Sequence, residues 1–127
     1  MICRAGKGRA ARFRGKTGTL VSLLADEKHG KLMEPLLVDV ASAPKDVPLQ
    51  GHAGEELNYV LEGRCHFLFG SEVHELSQGD LVYFDATVAH AVHAINREPC
   101  KLFVVVSSRD FHIHSNISRI VEGRLQI

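Results

Sequence analysis

The sequence has 127 residues, no tryptophan, only three cysteines and no long hydrophobic run. Cys3, Cys65 and Cys100 are odd in number and widely spaced, which argues against a disulfide framework or a zinc knuckle. No apolar segment approaches the roughly 20 residues of a membrane-spanning helix, and the basic first residues lack the apolar stretch of a secretory signal. We therefore predict a cytoplasmic protein with free thiols and no membrane partner.

Motifs that mark several large enzyme classes are also missing. The chain has no G-x-S-x-G elbow, no Walker-type glycine loop and no dinucleotide fingerprint, so nucleophilic catalysis by serine, phosphoryl transfer and hydride transfer are disfavoured. Hydrophobic residues make up 45% of the chain and charged residues 24%, which excludes a disordered protein. A chain of this length normally forms one domain around one core.

The net charge of zero conceals an asymmetry along the chain. Residues 1–16 contain six basic side chains and no acidic one, whereas residues 17–127 contain nine basic and fifteen acidic ones, a net charge of −6. We predict a basic N-terminal arm over residues 1–17 and interpret it as a solvated, partly disordered terminus. A DNA-binding arm is the alternative, disfavoured because no aromatic residues or helical periodicity accompany the charge. For the acidic body we expect no nucleic-acid binding.

From residue 18 onward the pattern is one of short β-rich segments separated by Gly, Pro, Asp and Asn. This pattern predicts a single all-β domain over residues 18–108, a sandwich or barrel, without a long helix. Aromatic side chains of these strands, Tyr59 and Tyr83 among them, are predicted to lie in the core. The predicted strands are 19–24, 32–41, 57–61, 64–69, 72–76, 80–84, 90–95 and 101–107.

The connections between these strands have their own signals. Gly63 and Gly70 mark tight hairpin turns, in which glycine supplies the required positive φ. The proline-containing residues 44–48 are predicted to form a loop. Residues 109–127 are predicted to form a C-terminal strand or tail that packs on the barrel or on a dimer partner, because barrels of this kind need their edges covered. A homodimer is therefore expected.

Two histidines and a glutamate suggest a metal site. His52 and Glu56 are four residues apart and His90 follows later, a set that leaves coordination positions open and suits Fe, Mn, Ni or Zn. Residues four apart on a straight strand are separated by about 13 Å, too far for one ion. Ala53-Gly54 can supply the necessary bend, because glycine permits a sharp reversal. We predict a divalent metal ion at this site and leave its identity open.

The surroundings of this set are predicted from strand alternation. Gln50 is either a neutral oxygen ligand of the metal or a hydrogen-bond partner that orients a ligating imidazole. Four side chains share a face with Glu56 or His90 and predict a mostly apolar pocket for a small organic molecule: Asn58, Val60, Val92 and Ala94.

Two segments carry a family resemblance. GHAGEELNYVLEG (residues 51–63) and GDLVYFDATVAHAVHAIN (residues 79–96) resemble the first and second motifs of the cupin superfamily. The resemblance implies a double-stranded β-helix, or jelly-roll barrel, with metal ligands at His52, Glu56 and His90.

The sequence differs from the usual cupin motifs at two positions. The first motif typically has two histidines separated by one residue, and Gln50 stands where the first of them would be. Asp85 replaces the proline that usually follows the aromatic residue of the second motif. Gly63 and Gly79 match the family, as do three of its four ligands.

The segments KLMEPLLV (residues 31–38) and HAGEE (residues 52–56) are similar to the sensor-like cupin domains of bacterial XRE-type regulators, many of which also lack the first histidine. The chain thus resembles an effector domain without its helix-turn-helix. This implies a regulatory or ligand-sensing role in which the metal organises a pocket for a small metabolite. The alternative is a mononuclear metalloenzyme of the dioxygenase, isomerase or decarboxylase class. In a third interpretation Gln50 marks loss of the metal and the barrel serves assembly only. Whether the protein is an enzyme stays open.

Overall fold

A computed structural model describes residues 1–12, 19–40 and 49–107 of the chain. Within these ranges it contains nine β-strands and no helix. The strands are β1 (Arg9–Arg12), β2 (Leu20–Leu23), β3 (Met33–Asp39), β4 (Glu55–Glu62), β5 (Arg64–Phe69), β6 (Glu72–Ser77), β7 (Leu81–Asp85), β8 (His90–Ala94) and β9 (Lys101–Ser107).

The strands form two antiparallel sheets. The larger sheet has the order β1-β2-β3-β9-β4-β7, and the smaller has the order β6-β5-β8. Strand β9 pairs with β3 on one side and β4 on the other, so the last described strand lies in the middle of the large sheet. The predicted all-β jelly-roll fold is confirmed.

All eight predicted strands are present, with ends shifted by two residues at most. Strand β1 was not predicted, and it places part of the basic arm in the sheet, although its described residues are mostly exposed. Arg9–Arg12 pairs with β2, so the sheet begins before the predicted domain boundary at residue 18. An edge strand is held by backbone hydrogen bonds, which need no apolar pattern. The predicted loop at 44–48 and tail at 109–127 lie outside the described residues.

The core lies between the two sheets, where strand alternation turns every second side chain inward. On β9, Leu102, Val104 and Val106 are all fully buried. Tyr59 and Tyr83, predicted as core residues, are instead 39% and 62% exposed. Strand alternation gives the reason, because both belong to the outward-facing set of their strands. The core cluster consists of Val21, Leu23, Leu36, Val38, Val60, Cys65, Phe67, Leu76, Phe84, Ala86, Cys100, Leu102, Val104 and Val106.

Several polar side chains are buried beside this core. They come from the large sheet, from the segment that leads into β4, and from the start of β8 in the small sheet. The buried polar set comprises Glu34, His52, Glu56, Asn58 and His90.

The described ranges contain no helix with the length and apolarity needed to cross a bilayer.

Candidate metal centre

Three of the buried polar side chains meet at one point between the sheets. The Nε2 atom of His52 lies 3.1 Å from Oε1 of Glu56, and Nε2 of His90 lies 3.5 Å from the same oxygen. All three side chains are fully buried, and their ligand atoms lie within 4.8 Å of one another. The structure thus brings together the two histidines and the carboxylate that the sequence suggested.

A backbone reversal allows His52 and Glu56 to meet. Gly54 has a φ of 98°, in the left-handed region that favours glycine. The chain therefore turns between the two residues, and β4 begins at Glu55 immediately afterwards. The bend predicted at Ala53-Gly54 is present.

The segment before β4 is pressed against the connection between β7 and β8. The backbone N–H of His52 donates to the carbonyl of Ala86 at 2.7 Å, and that of Ala86 donates to the carbonyl of Gly54 at 3.0 Å. A Cβ atom on Gly51 would lie 2.1 Å from the carbonyl oxygen of Thr87, so the contact requires glycine. This contact holds His52 close to the loop that leads to His90.

Asp85 orders that loop, and it stands where the second cupin motif usually has a proline. Its Oδ1 accepts hydrogen bonds from the backbone N–H of Thr87 at 2.9 Å and from the Thr87 hydroxyl at 2.6 Å. These bonds lower the pKa of Asp85 from its ordinary value of 3.8. An aspartate can close such a turn through its side chain, whereas proline acts by restricting φ.

Both imidazoles are oriented through their Nδ1 atoms. The Nδ1–H of His90 donates to the carbonyl of Val88 at 2.8 Å, and Nδ1 of His52 lies 3.3 Å from the carbonyl of Ala53. Because a carbonyl oxygen can only accept, these contacts favour the tautomer with hydrogen on Nδ1. Each Nε2 atom then lies on the side of its ring that faces Glu56, where it is available to bind a metal ion. A contact of this kind commonly fixes a histidine that binds a metal.

Opposing effects act on the protonation of the cluster in the absence of an ion. Burial raises the pKa of Glu56, but the adjacent imidazoles of His52 and His90 outweigh it and hold that pKa below its ordinary value of 4.5. Burial lowers the pKa of His90, but the adjacent Glu56 carboxylate outweighs it and raises that pKa above 6.5. The cluster therefore favours a carboxylate that faces a positive charge.

Two ligand atoms of the cluster lack a hydrogen-bond partner among the described residues, Oε2 of Glu56 and Nε2 of His90. Buried polar atoms are nearly always satisfied in folded proteins. A divalent cation accepts lone pairs from carboxylate oxygen and imidazole nitrogen, so the donor set fits such an ion. Phe84 stacks edge-on against His90 with ring centroids 4.8 Å apart and forms an apolar wall.

The other predicted site residues lie on neighbouring strands. Gln50 forms an isolated backbone bridge with His90 and is partly buried. Val60 belongs to the hydrophobic core cluster, and Val92 packs against that cluster. Asn58 is fully buried beside Val60 on the same strand, whereas Ala94 is partly exposed at the end of β8.

Sequence reasoning missed a second buried charged pair. Lys31 Nζ lies 2.7 Å from Oε2 of Glu34, and their side chains are only 6% and 4% exposed. Lys31 also donates to the carbonyl of Ala25 at 2.7 Å. Glu34 belongs to the same alternating set of β3 as buried Leu36 and Val38, and that alternation was the signal available in the sequence.

The chain is similar to several known proteins. It is 38% identical over 56 residues to an uncharacterised protein of Streptomyces coelicolor, a match that covers 44% of this chain and 52% of the relative. A protein of unknown function from Streptococcus pyogenes shares the fold, with a TM-score of 0.60 and 14% identity over 76% of this chain and 79% of that one.

Hydroxypropylphosphonic acid epoxidase from S. wedmorenis superposes with a TM-score of 0.70 and 26% identity, over 84% of this chain and 58% of the epoxidase. The FeII form of HppE gives a TM-score of 0.71 and 26% identity, over 84% and 59% of the two chains. The present chain therefore spans less than two thirds of these relatives. Residues 36–106, more than half of the chain, match the family described as the cupin domain, and the protein belongs to that family.

Proposed function

We propose that the protein binds a divalent metal ion through His52, Glu56 and His90, and a small organic metabolite beside it. One observation carries this proposal: a buried carboxylate and two oriented imidazoles meet with ligand atoms that no described residue satisfies. The ion is Fe, Mn, Ni or Zn, because two imidazoles and a carboxylate suit these metals. FeII in a structurally similar protein supports the proposal.

Within this proposal the chain's own residues orient and enclose the metabolite. The bound ion would supply an open coordination position and polarise a ligand oxygen. Gln50 would lie beside His90 as an oxygen donor or a hydrogen-bond partner. The proposed pocket is mostly apolar, which favours a small organic molecule held by few polar groups. Its lining would be Asn58, Val60, Val92 and Ala94.

The role proposed first is regulatory or ligand-sensing, and it rests on the resemblance to sensor-like cupin domains. A mononuclear metalloenzyme is the second candidate, and the 26% identity to an epoxidase over 84% of this chain favours it. The two candidates differ in the fate of the bound molecule. A sensor releases its ligand unchanged, whereas an enzyme releases a product that mass spectrometry detects.

Metal content tests the shared part of the proposal. Protein purified without an affinity tag or added metal is analysed by inductively coupled plasma mass spectrometry, beside a His52→Ala/His90→Ala variant. Near-stoichiometric metal in the wild type and its loss in this variant are expected. The matched control is His29→Ala/His74→Ala, which removes two exposed histidines and should keep the metal. A wild-type protein that also refuses added metal would contradict the proposal.

Two further expectations remain proposals. A cytoplasmic location in a bacterial cell is supported by three free cysteines, including buried Cys65 and Cys100, and by the bacterial relatives.

A homodimer is supported by exposed apolar side chains on β4 and β7, such as Tyr59 and Leu81. Light scattering measures the mass in solution, and Leu81→Glu should reduce a dimer to a monomer. Val73→Glu alters a similarly exposed residue of the small sheet and serves as its control.

A further inference from the structure

The side-chain amide of Asn58 is a buried polar group that the described residues leave without a hydrogen bond. Asn58 is 0% exposed, and neither Nδ2 nor Oδ1 has a hydrogen-bond partner among the described residues. An unpaired amide is destabilising inside a protein, because it has lost its bonds to water without replacement. The site therefore calls for a partner from outside the described residues, and a bound ligand is such a partner.

The proposed metal ion is not a sufficient partner for this amide. The amide nitrogen carries two hydrogens and no available lone pair, so it must donate to an acceptor and cannot bind a cation. Asn58 follows Glu56 by two residues on β4, which places both on the inner face, about 7 Å apart along the strand. An acceptor for Asn58 would thus belong to a molecule that extends inward from the ion.

The immediate surroundings of Asn58 are apolar. Its partners on the two neighbouring strands are Val82 on β7 and Val104 on β9, and the next inward residue of β4 is Val60. Valine side chains offer no hydrogen-bond acceptor. Within this part of the large sheet the amide is therefore a polar contact point among valines, an arrangement that selects one polar group of a ligand.

The buried charges indicate the charge of that ligand. Glu34 and Glu56 are the buried acidic residues of the described ranges, and Glu34 is neutralised by Lys31 at 2.7 Å. Among the described residues, only Glu56 then remains buried to balance a divalent ion, since ligating histidines are neutral. The buried centre would carry one net positive charge. A monoanionic ligand would neutralise it, whereas a neutral ligand would leave it uncompensated.

We infer that the ligand is a small organic acid with a second oxygen two or three carbons from its carboxylate. The carboxylate binds the ion, and the second oxygen, a carbonyl or hydroxyl, accepts a hydrogen bond from Nδ2 of Asn58. Asn58 is the residue that distinguishes this ligand from a plain fatty acid of the same length. This inference rests on the proposed metal site.

Isothermal titration calorimetry of the Zn-loaded protein tests the inference with three probes of similar size. These are 4-oxopentanoate, pentanoate, which lacks the second oxygen, and 4-oxopentanamide, which lacks the negative charge. We expect the wild type to bind 4-oxopentanoate about 5- to 10-fold more tightly than pentanoate, the effect of one hydrogen bond. The neutral amide should bind at least tenfold more weakly than 4-oxopentanoate.

The decisive variant is Asn58→Leu, which replaces the amide by an apolar group of similar size. It should retain the metal and bind 4-oxopentanoate and pentanoate equally. Its metal-free form should unfold at a midpoint about 4 °C higher than that of the wild type, because an unpaired buried amide is removed. A purely structural Asn58 would give the opposite shift. In Asn58→Asp the added negative charge should weaken binding of both anions.

Three results would overturn the inference: no binding of 4-oxopentanoate to the metal-loaded wild type, equal binding of the neutral amide, or an unchanged preference in Asn58→Leu. Each of these leaves the metal content of the wild type intact. Failure of the proposed metal site is seen earlier and separately, as a wild-type protein that cannot be loaded with Zn.

Discussion

Two buried carboxylates on the inner face of the large sheet have opposite surroundings. Glu34 on β3 and Glu56 on β4 are both paired in register with Val106 of the strand between them, so they occupy one row of the sheet. Glu34 is neutralised by Lys31, which also bonds the carbonyl of Ala25. Glu56 faces two histidines and retains an oxygen without a described partner.

The difference indicates which carboxylate belongs to structure and which to function. In a buried ion pair such as Lys31–Glu34, each charged group already has its partner within the fold. Neither group is then available to bind a ligand. A buried carboxylate left partly unsatisfied lowers the stability of the empty protein, and such a cost is typical of sites that bind something. The contrast fails if Glu34 and Glu56 respond alike to the same substitution.

The largest expected effect is on metal binding. Glu56→Gln removes the only charged ligand and should lower metal affinity at least about 100-fold, since a neutral amide replaces a carboxylate on a divalent ion. Glu34→Gln should leave the affinity of the folded protein unchanged. Competition with a chromophoric chelator measures both. Equal losses in the two variants would end the distinction between them.

The next effect is on stability and has the opposite pattern. Glu34→Gln leaves the Lys31 ammonium buried without its carboxylate and should destabilise the protein by about 3 kcal/mol. Urea denaturation of the metal-free protein gives this difference. The double variant Lys31→Met/Glu34→Leu should recover most of the loss, because it buries no unpaired charge. A single variant as stable as the wild type would contradict the structural role of this pair.

Solution pH should act oppositely on the metal-free and metal-bound proteins. The pKa of His90 is raised above 6.5 in the metal-free fold, so its stabilising effect is fully present below pH 6.5 and is lost as the pH rises through the raised pKa. Metal binding must displace this proton and should weaken about tenfold per pH unit below that pKa. Urea denaturation of the metal-free protein tests the first trend, and competition with a chelator for the metal tests the second. Both are measured from about pH 5.5 to 8.5. Parallel trends would contradict the assignment of His90.

The smallest effect concerns the turn that leads to His90. Asp85→Ala removes the two hydrogen bonds to Thr87 and should weaken metal binding severalfold, less than the roughly 10- to 100-fold loss seen for residues that bond a ligating side chain directly. Because the pKa of Asp85 is lowered, its contribution is present above pH 3.8 and is lost as the pH falls through the lowered value. Asp80→Ala, at another exposed turn, is the control.

Much of the fold follows from local patterns. Alternation and turn residues predicted eight strands, and the glycine at position 54 predicted the reversal that joins His52 to Glu56. Strand β1 was missed because Arg9–Arg12 has no apolar alternation, and edge pairing depends on the backbone alone. The positions of Tyr59 and Tyr83 were misjudged because residue type was given more weight than strand parity.

The sequence by itself determined eight of the nine described strands, their turns, the family motifs and the three residues of the candidate metal centre. Only the tertiary structure decided how these residues meet, because His90 begins a strand of the small sheet while Glu56 belongs to the large one. Only the tertiary structure revealed that Glu34 has a cation beside it and that the amide of Asn58 has no hydrogen-bond partner among the described residues. Strand alternation and turn preferences depend on a few neighbouring residues. Whether a buried polar atom finds a hydrogen-bond partner depends on the residues that the folded sheets place next to it.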